Sequence, residues 1–394
     1  MRFMNAIGAV ARAWAIAAAV LCIEPPSAHA GAGCDEWNAA YGDPGLNNSV
    51  NAMATFFGQP TVGGTFTNAG GTAASRVARW DGVNWQALGS GVGGTVQSML
   101  VFEGQLVVAG QFTTAGGITA NRIARWNGTT WSAMGDGFDN TVFDLAIFNG
   151  QLVAVGQFQN SGATPALRIA KWNGVSWEPI GAGFNNTTRA VLVWEGELYA
   201  AGVFTASGDL IRTRIARWDG ALWQSLGSGL TGTPEDLIEF GGNLVVAGTV
   251  SNAGGLAVNN IAQWDGAAWS LVGSGLAGGV NAMTIHNGSL IAGGAFTALG
   301  GMTTGIIVNR IARWDGTDWG PIGGAAMNGS VDAVMDLDGD LIAAGAFTAA
   351  GTQLTGRIAN LTEAGGSCTG DLNGDGQVGA PDLALMLGAW GICP

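Results

Sequence analysis

Charge is scarce in this chain. Of 394 residues only 15 are Lys or Arg and 28 are Asp or Glu, together 11%. The formal net charge is −13, which makes nucleic acid and anionic membrane surfaces poor partners. Histidine is scarcer still, with two in the whole chain. One of these, His29, falls in the N-terminal leader, so His286 is left alone. A Ser-His-Asp triad or a histidine metal cage needs more support than that. Tyr is limited to Tyr41 and Tyr199, and Cys to four positions. In contrast, Gly is abundant at 68, and 47% of residues are hydrophobic. Such a chain is too apolar for disorder and too rich in Gly for helices, which points to many short strands and turns.

The first thirty residues read as a secretory leader. Arg2 and Arg12 precede an apolar run from Ala13 to Ile23, followed by "SAHA" with Ala28 and Ala30 at −3 and −1 of a cleavage site. The run is too short to span a bilayer. A lipoprotein signal at Cys22 is the alternative reading. Cleavage removes two Arg and Glu24, moving the net charge from −13 to −14. The mature chain keeps Cys34, Cys368 and Cys393 and is expected in an oxidising compartment, secreted or at the cell surface.

What the chain has in quantity is a repeat. The stretch "RIARWNGTTW", Arg122 to Trp131, recurs with its first Trp at 80, 126, 172, 218, 264 and 314, and a degenerate copy puts Leu361 at that place. A second signature runs in phase: "GTF" at Gly64, "GQF" at Gly110 and Gly156, "GVF" at Gly202, "GTV" at Gly248, and "GAF" at Gly294 and Gly345. A period of about 46 residues is the length of one four-stranded propeller blade. One unit parses into strands over Val142–Phe148, Leu152–Phe158, Arg168–Trp172 and Trp177–Gly181, with "NG" turns at Asn149 and Asn173. The second strand ends in a Gly/Ala-rich loop. Seven copies of the first three strands are present but only six outer strands follow them. The segment Asp35–Val50 resembles Trp131–Val142, so Trp37 is expected to supply the missing strand and close the ring. The fold class is therefore all-β: a seven-bladed β-propeller over 35–361, closed by an N-terminal outer strand. A linker at 362–367 and a small module at 368–394 complete the chain.

These residues resemble kelch-type repeats, through the Gly after "LVVAG" and the Trp-x-x-Leu strand after a turn. They are still more similar to the repeats of secreted cell-surface proteins such as the fungal cell-polarity marker family (Rax2-type), where "IARWDG..W..LGSGL" and "AG.F..AGG" recur. The resemblance implies a propeller and a place outside the cell. It does not imply an activity. Galactose oxidase shares the propeller shape, but its copper site needs several His and a Tyr–Cys pair.

Eleven of the 15 basic residues fall in the repeated motif, among them Arg76, Arg122, Arg125, Lys171 and Arg217. The expectation is that each Arg lies over an indole and bonds an acidic turn; a polyanion-binding ring is the other reading. His286 is expected to be a core or turn residue. Glu195, Glu197, Glu235, Asp236 and Glu239 form a loose acidic group that paired carboxylates could use on a glycoside, or they are turn and rim residues. "DLDGD", Asp336 to Asp340, occupies a turn position. One series varies from blade to blade, one step after the position that holds Val in five of the seven inner strands: Asn51, Gln97, Phe143, Arg189, Glu235, Asn281 and Asp332. Inner-strand starts sit near a mouth of the central channel, so these are the candidate ligand-binding rim. Drift on a solvated rim would produce the same variety.

The C-terminus carries "GDLNGDGQVGAPDLALMLGAWG". Asp371, Asn373, Asp375, the Gln377 carbonyl and Asp382 occupy positions 1, 3, 5, 7 and 12 of a calcium loop, with Gly376 at the sharp turn. Loop followed by helix, in one copy, resembles a type I dockerin repeat. That implies Ca2+ as cofactor and a cohesin-like partner. Cys368 and Cys393 bracket the module and are the expected disulfide, with Cys34–Cys368 as the alternative. Together these readings predict a secreted, non-enzymatic monomer that binds a protein or glycan at the cell surface. A carbohydrate-active protein tethered by its tail is the alternative.

Overall fold

The computed structural model describes residues 36–42, 44–300, 307–323, 327–351 and 353–362. No helix occurs among them. The expected leader, Cys34, Cys368, Cys393 and the expected calcium loop lie outside the described residues. Seven antiparallel sheets follow one another along the chain. Blade 3 shows the pattern: Val142–Phe148 innermost, then Gln151–Gly156, Ile169–Trp172, and Trp177–Pro179 outermost. The first hairpin is sharp because Asn149 and Gly150 both take left-handed backbone, φ 50° and 74°. Those angles suit a two-residue hairpin turn with matching strand twist.

The second strand of each blade is buried on both faces. In Gln151–Gly156 every residue after Gln151 is buried. Such a strand must be continuously apolar, as "LVAV" is, because the neighbouring blades cover its two sides. One apolar cluster accordingly joins blades 2 and 3, including Val107, Ala109, Val142, Leu145 and Leu152. The outer Trp of each of blades 1 to 6 ties its blade to the one before, whereas the indole N–H of Trp37 in blade 7 is buried without a partner. The indole N–H of Trp131 donates to the Leu88 carbonyl at 2.8 Å, and Trp177 does the same to Met134 at 3.0 Å. Such a bond contributes about 1 kcal/mol beyond the area buried.

The ring closes as expected. Glu36–Asn38 pairs antiparallel with Ile358–Thr362, placing Trp37 opposite Leu361. This is the register of Trp131 opposite Trp126 in blade 2. The last blade therefore has four strands drawn from both ends of the chain, Thr362 included.

Several expectations need correction. The third strand of blade 3 begins at Ile169, because Arg168 has φ 68°. The same left-handed geometry holds at Arg76, Arg122, Arg214, Asn260, Arg310 and Arg357. At this corner the Arg122 N–H donates to the Phe112 carbonyl, and the Gly110 N–H donates to the Arg122 carbonyl. These two bonds hold the chain in a conformation that is uncommon without Gly. The Gly/Ala-rich loops are also more ordered than expected. Most fold into two-stranded ribbons, such as Thr114–Ala115 with Ile118–Thr119.

The repeated cations do not lie over the motif's indoles among the described residues. The Trp rings instead pair with each other across the outer hairpin, as Trp126 and Trp131 do at 5.3 Å. Arg122 and Arg310 reach backbone carbonyls, and Arg125 Nε reaches Ser132 Oγ at 3.3 Å. The acidic turns bond their own backbone: Asp81 accepts from the Val83 and Asn84 amides. Those bonds hold the Asp81 carboxyl below its ordinary pKa. The reason is geometric. An Asp at the start of a tight turn meets two amide donors that are already in place, at little entropic cost.

Candidate ligand-binding mouth of the channel

Each innermost strand carries a β-bulge, at or next to its start in six blades and inside the longer strand Leu230–Phe240 in blade 5. The register against the second strand shifts between Val50 and Ala52, Val96 and Ser98, Val142 and Asp144, Thr188 and Ala190. It shifts again between Pro234 and Asp236, Val280 and Ala282, Val331 and Ala333. The residue skipped each time is a member of the variable series: Asn51, Gln97, Phe143, Arg189, Glu235, Asn281 and Asp332. A bulge leaves one residue out of the ladder and re-aims its side chain. The seven are half-buried. They stand where the inner strands start, at what is termed the upper mouth.

Several of them meet their neighbours from blade to blade. Asn51 Nδ2 donates to the Val96 carbonyl at 3.0 Å. The Arg189 guanidinium carbon lies 4.8 Å from the centre of the Phe143 ring, and its Nη1 is 3.1 Å from Glu235 Oε2. Asn281 Nδ2 donates to Asp332 Oδ1 at 2.8 Å. Burial raises the pKa of Glu235, with Arg189 opposing the shift, and burial raises that of Asp332 too. The mouth thus offers one cation between an aromatic ring and a carboxylate, with a second carboxylate two blades away.

Below the mouth lie two further acids. Asp144 and Asp236 each sit one residue beyond the bulge, in a column whose other members are Ala or Ser. An innermost strand has a free edge, so its amides need acceptors. Asp144 accepts from the Leu145 and Val191 amides and from Ser98 Oγ. Asp236 accepts from the Leu237 amide at 2.8 Å and the Met283 amide at 2.6 Å. Each therefore bridges its own blade to the next. Burial pushes the Asp144 carboxyl up to about 6. Burial, with the charge of Asp144 adding to it, pushes Asp236 up to about 7. The sequence reading missed Asp144. Its signal was an acid in a column of small residues, visible once the repeats are stacked.

The acidic group around 195–239 is not brought together. Glu235 is at the mouth and Asp236 on the inner wall, whereas Glu239 is exposed near the far end of the same strand. Glu195 is in a hairpin turn with φ 50°, and Glu197 pairs with Arg217 at 2.8 Å. His286 is buried, 2% exposed, with Nδ1 2.6 Å from Asp336 Oδ2 in the next blade. Asp338 and Gly339 have left-handed backbone, consistent with a turn at "DLDGD". Among the described residues no group of three or more His, Cys, Asp and Glu is placed to hold a metal. Asp371, Asn373, Asp375, Gln377 and Asp382 lie outside the described residues.

Residues 38–190 match the family model of the Rax2 C-terminal beta propeller domain. The match runs from the closing strand through blade 3 and into blade 4, which supports the propeller repeats. Among solved structures the chain is similar to the WD40 beta propeller domain of Doa1. The TM-score is 0.53 at 11% identity, covering 84% of this chain and 98% of that one. At that identity the likeness concerns the fold alone. The computationally designed Ika8 protein is also similar, at a TM-score of 0.46 and 13% identity, covering 81% of this chain and 98% of that one. No curated protein matches the chain.

Proposed function

We propose that this is a secreted, non-enzymatic binding or display protein whose propeller takes its ligand at the upper mouth of the channel. The observation that carries the reading is the set of seven bulges. They direct seven side chains of six types, mostly polar, to one opening, in a molecule that otherwise repeats itself. A solvated rim under no demand has no need of the Phe143–Arg189–Glu235 sequence across three blades. In this reading the dockerin-like tail holds calcium through Asp371, Asn373, Asp375, Gln377 and Asp382. It would tether the propeller to a cohesin-like partner. The carbohydrate-active alternative asks Asp144 and Asp236 to act as acid and base. Their raised pKa values suit a general acid, but their oxygens are already engaged by strand amides, and this favours the bridging role.

The test is a binding screen of the mature protein against soluble polysaccharides and extracellular proteins, repeated with Phe143→Ala and Arg189→Ala. A ligand retained by the wild type and lost by both variants is the expected result. A ligand indifferent to both would place binding elsewhere. Release of new reducing ends from a polysaccharide would sink the non-enzymatic reading.

A further inference from the structure

Between blades 2 and 3, at the upper rim and away from the channel mouth, a groove of about 630 Å³ opens. Its polar lining is Thr119, Asn121, Arg122, Asp136 and Asp139, and Phe138 is part of its floor. The 46-residue period allows a direct comparison with the sister grooves. The place of Asp136 is taken elsewhere by Ser90, Ala182, Ser228 and Ser274. That of Asp139 is taken by Gly93, Asn185, Thr231 and Ala277, and that of Thr119 by Ala73, Pro165, Ile211 and Ala257. The two carboxylates, the hydroxyl and the amide coincide between blades 2 and 3 and at none of these sister positions.

The fold explains only part of this lining. Asp139 accepts from the Gln159 amide and from Asn160 Nδ2, both at 2.8 Å, and so caps the ribbon of blade 3. Although burial works the other way, these bonds hold its carboxyl below the ordinary pKa. Asn185 makes the equivalent cap with a neutral amide, so the cap does not need the charge. Asp136 is less accounted for. Its backbone carbonyl accepts from Asn121 Nδ2 at 3.1 Å, yet no hydrogen bond to its carboxylate occurs among the described residues. The carboxylate sits over Gly162, where an added Cβ would come within 2.2 Å of Oδ2. Arg122 is fixed by its left-handed backbone and reaches the Phe112 carbonyl at 3.4 Å. Its Nε is buried without a partner, as are those of Arg79, Arg168 and Arg189, and so is out of a ligand's reach, which leaves the terminal N–H groups as the donors the groove can use. A guanidinium has five N–H donors, and little of that capacity is used here.

The groove therefore pairs under-used donors with a free acceptor. An anion would face two carboxylates. A metal ion would face the guanidinium and finds too few acids. An apolar ligand would desolvate charges for no return. A sugar is neutral, and each hydroxyl both donates and accepts. The volume is within the range of small-molecule pockets, about 300–1,000 Å³, and suits one to three sugar units. We infer that this groove binds a short neutral oligosaccharide, with Asp136 accepting from neighbouring hydroxyls and Arg122 donating to ring or hydroxyl oxygens. The site is separate from the channel mouth and does not depend on it.

Calorimetry of the mature protein against a panel of gluco-, xylo-, manno- and galacto-trioses tests the inference. Asp136→Ser and Asp139→Asn copy residues that sister blades already carry, so both variants are expected to fold, and thermal melting checks this. At least one trisaccharide is expected to bind with a Kd of about 1 mM or tighter. Asp136→Ser should weaken it tenfold or more, and Arg189→Ala should leave it unchanged. No saturable binding at millimolar sugar, or equal binding by folded Asp136→Ser, overturns the proposal. Loss in Arg189→Ala alone would assign the sugar to the channel mouth instead, and would also overturn it.

Discussion

Asp144 and Asp236 are acids on an inner wall where apolar or small residues would be expected. Their pKa values of about 6 and about 7 mean that the folded chain binds their protons more tightly than the unfolded chain does. Stability from this source is complete below the ordinary carboxylate range, near pH 4. It is lost as pH rises through 6 and 7. The melting temperature of the wild type is therefore expected to fall between pH 5 and pH 8, by on the order of 1–3 kcal/mol in stability. Asp236→Asn should melt lower at pH 5, since its amide group faces a strand N–H, but its decline with pH should be shallower. An unchanged slope would mean that the raised pKa lies elsewhere. Arg125 is a contrasting case. Its bond to Ser132 is half-exposed, so Arg125→Ala should cost about 0.5–1 kcal/mol by chemical denaturation. A loss above about 2 kcal/mol would show a buried role that the geometry does not contain. Neither residue's partner was legible in the sequence. Asp144 looks like an ordinary strand residue until the repeats are stacked, and Arg125 next to Trp126 invited a ring contact that the strand pleat prevents. Neighbouring side chains on a strand point to opposite faces.

At the scale of elements, the inner strands and the closing strand were legible, since both follow from periodicity and counting. Val142–Phe148 is predicted and found with the same ends. Bulges and left-handed corners were not, because they depend on register against a second strand. The seven variable positions, five of them preceded by Val, mark the bulges only after the pairing is known. The closing strand invites a sharp test. Trp37 is 2% exposed and stands opposite Leu361, as Trp131 stands opposite Trp126. Trp37→Ala should cost about 3 kcal/mol from lost burial and cavity formation, and Trp131→Ala about 1 kcal/mol more because it also loses the bond to the Leu88 carbonyl. Only the Trp37 variant should also associate at higher protein concentration, because loosening a three-residue strand uncovers the edge of Ile358–Thr362. Equal monomeric behaviour of the two variants in sedimentation would refute closure as the protective device.

At the scale of the whole molecule, Glu36 pairs with Thr362, so the two ends of the propeller leave side by side from the same edge of blade 7. Thr362 ends the strand against which the closing strand pairs. This sets two possible couplings for the tail. If Cys368 pairs with Cys393, the calcium loop is bracketed by its own disulfide and its ordering stays local. If Cys368 pairs with Cys34, two residues before the closing strand, the loop is tied to the ring and should share its fate. The bracketed arrangement is the one expected, and it makes a joint prediction. If the proposed loop forms, the three carboxylates Asp371, Asp375 and Asp382 would repel one another when it is empty, and a calcium ion would relieve that repulsion. With Gly379 at position 9 and Asp382 shorter than Glu, affinity should be modest, near the 10⁻⁴–10⁻³ M of extracellular modules or somewhat tighter. The mature protein should show a calcium-dependent heat that Asp375→Ala removes. Chelation should leave the main melting transition of the propeller unmoved, and non-reducing peptide mapping should return Cys368 linked to Cys393. A main transition that drops on chelation, together with a Cys34–Cys368 peptide, would show that calcium acts on ring closure itself. Absence of the heat at millimolar calcium would remove calcium from the account of the tail.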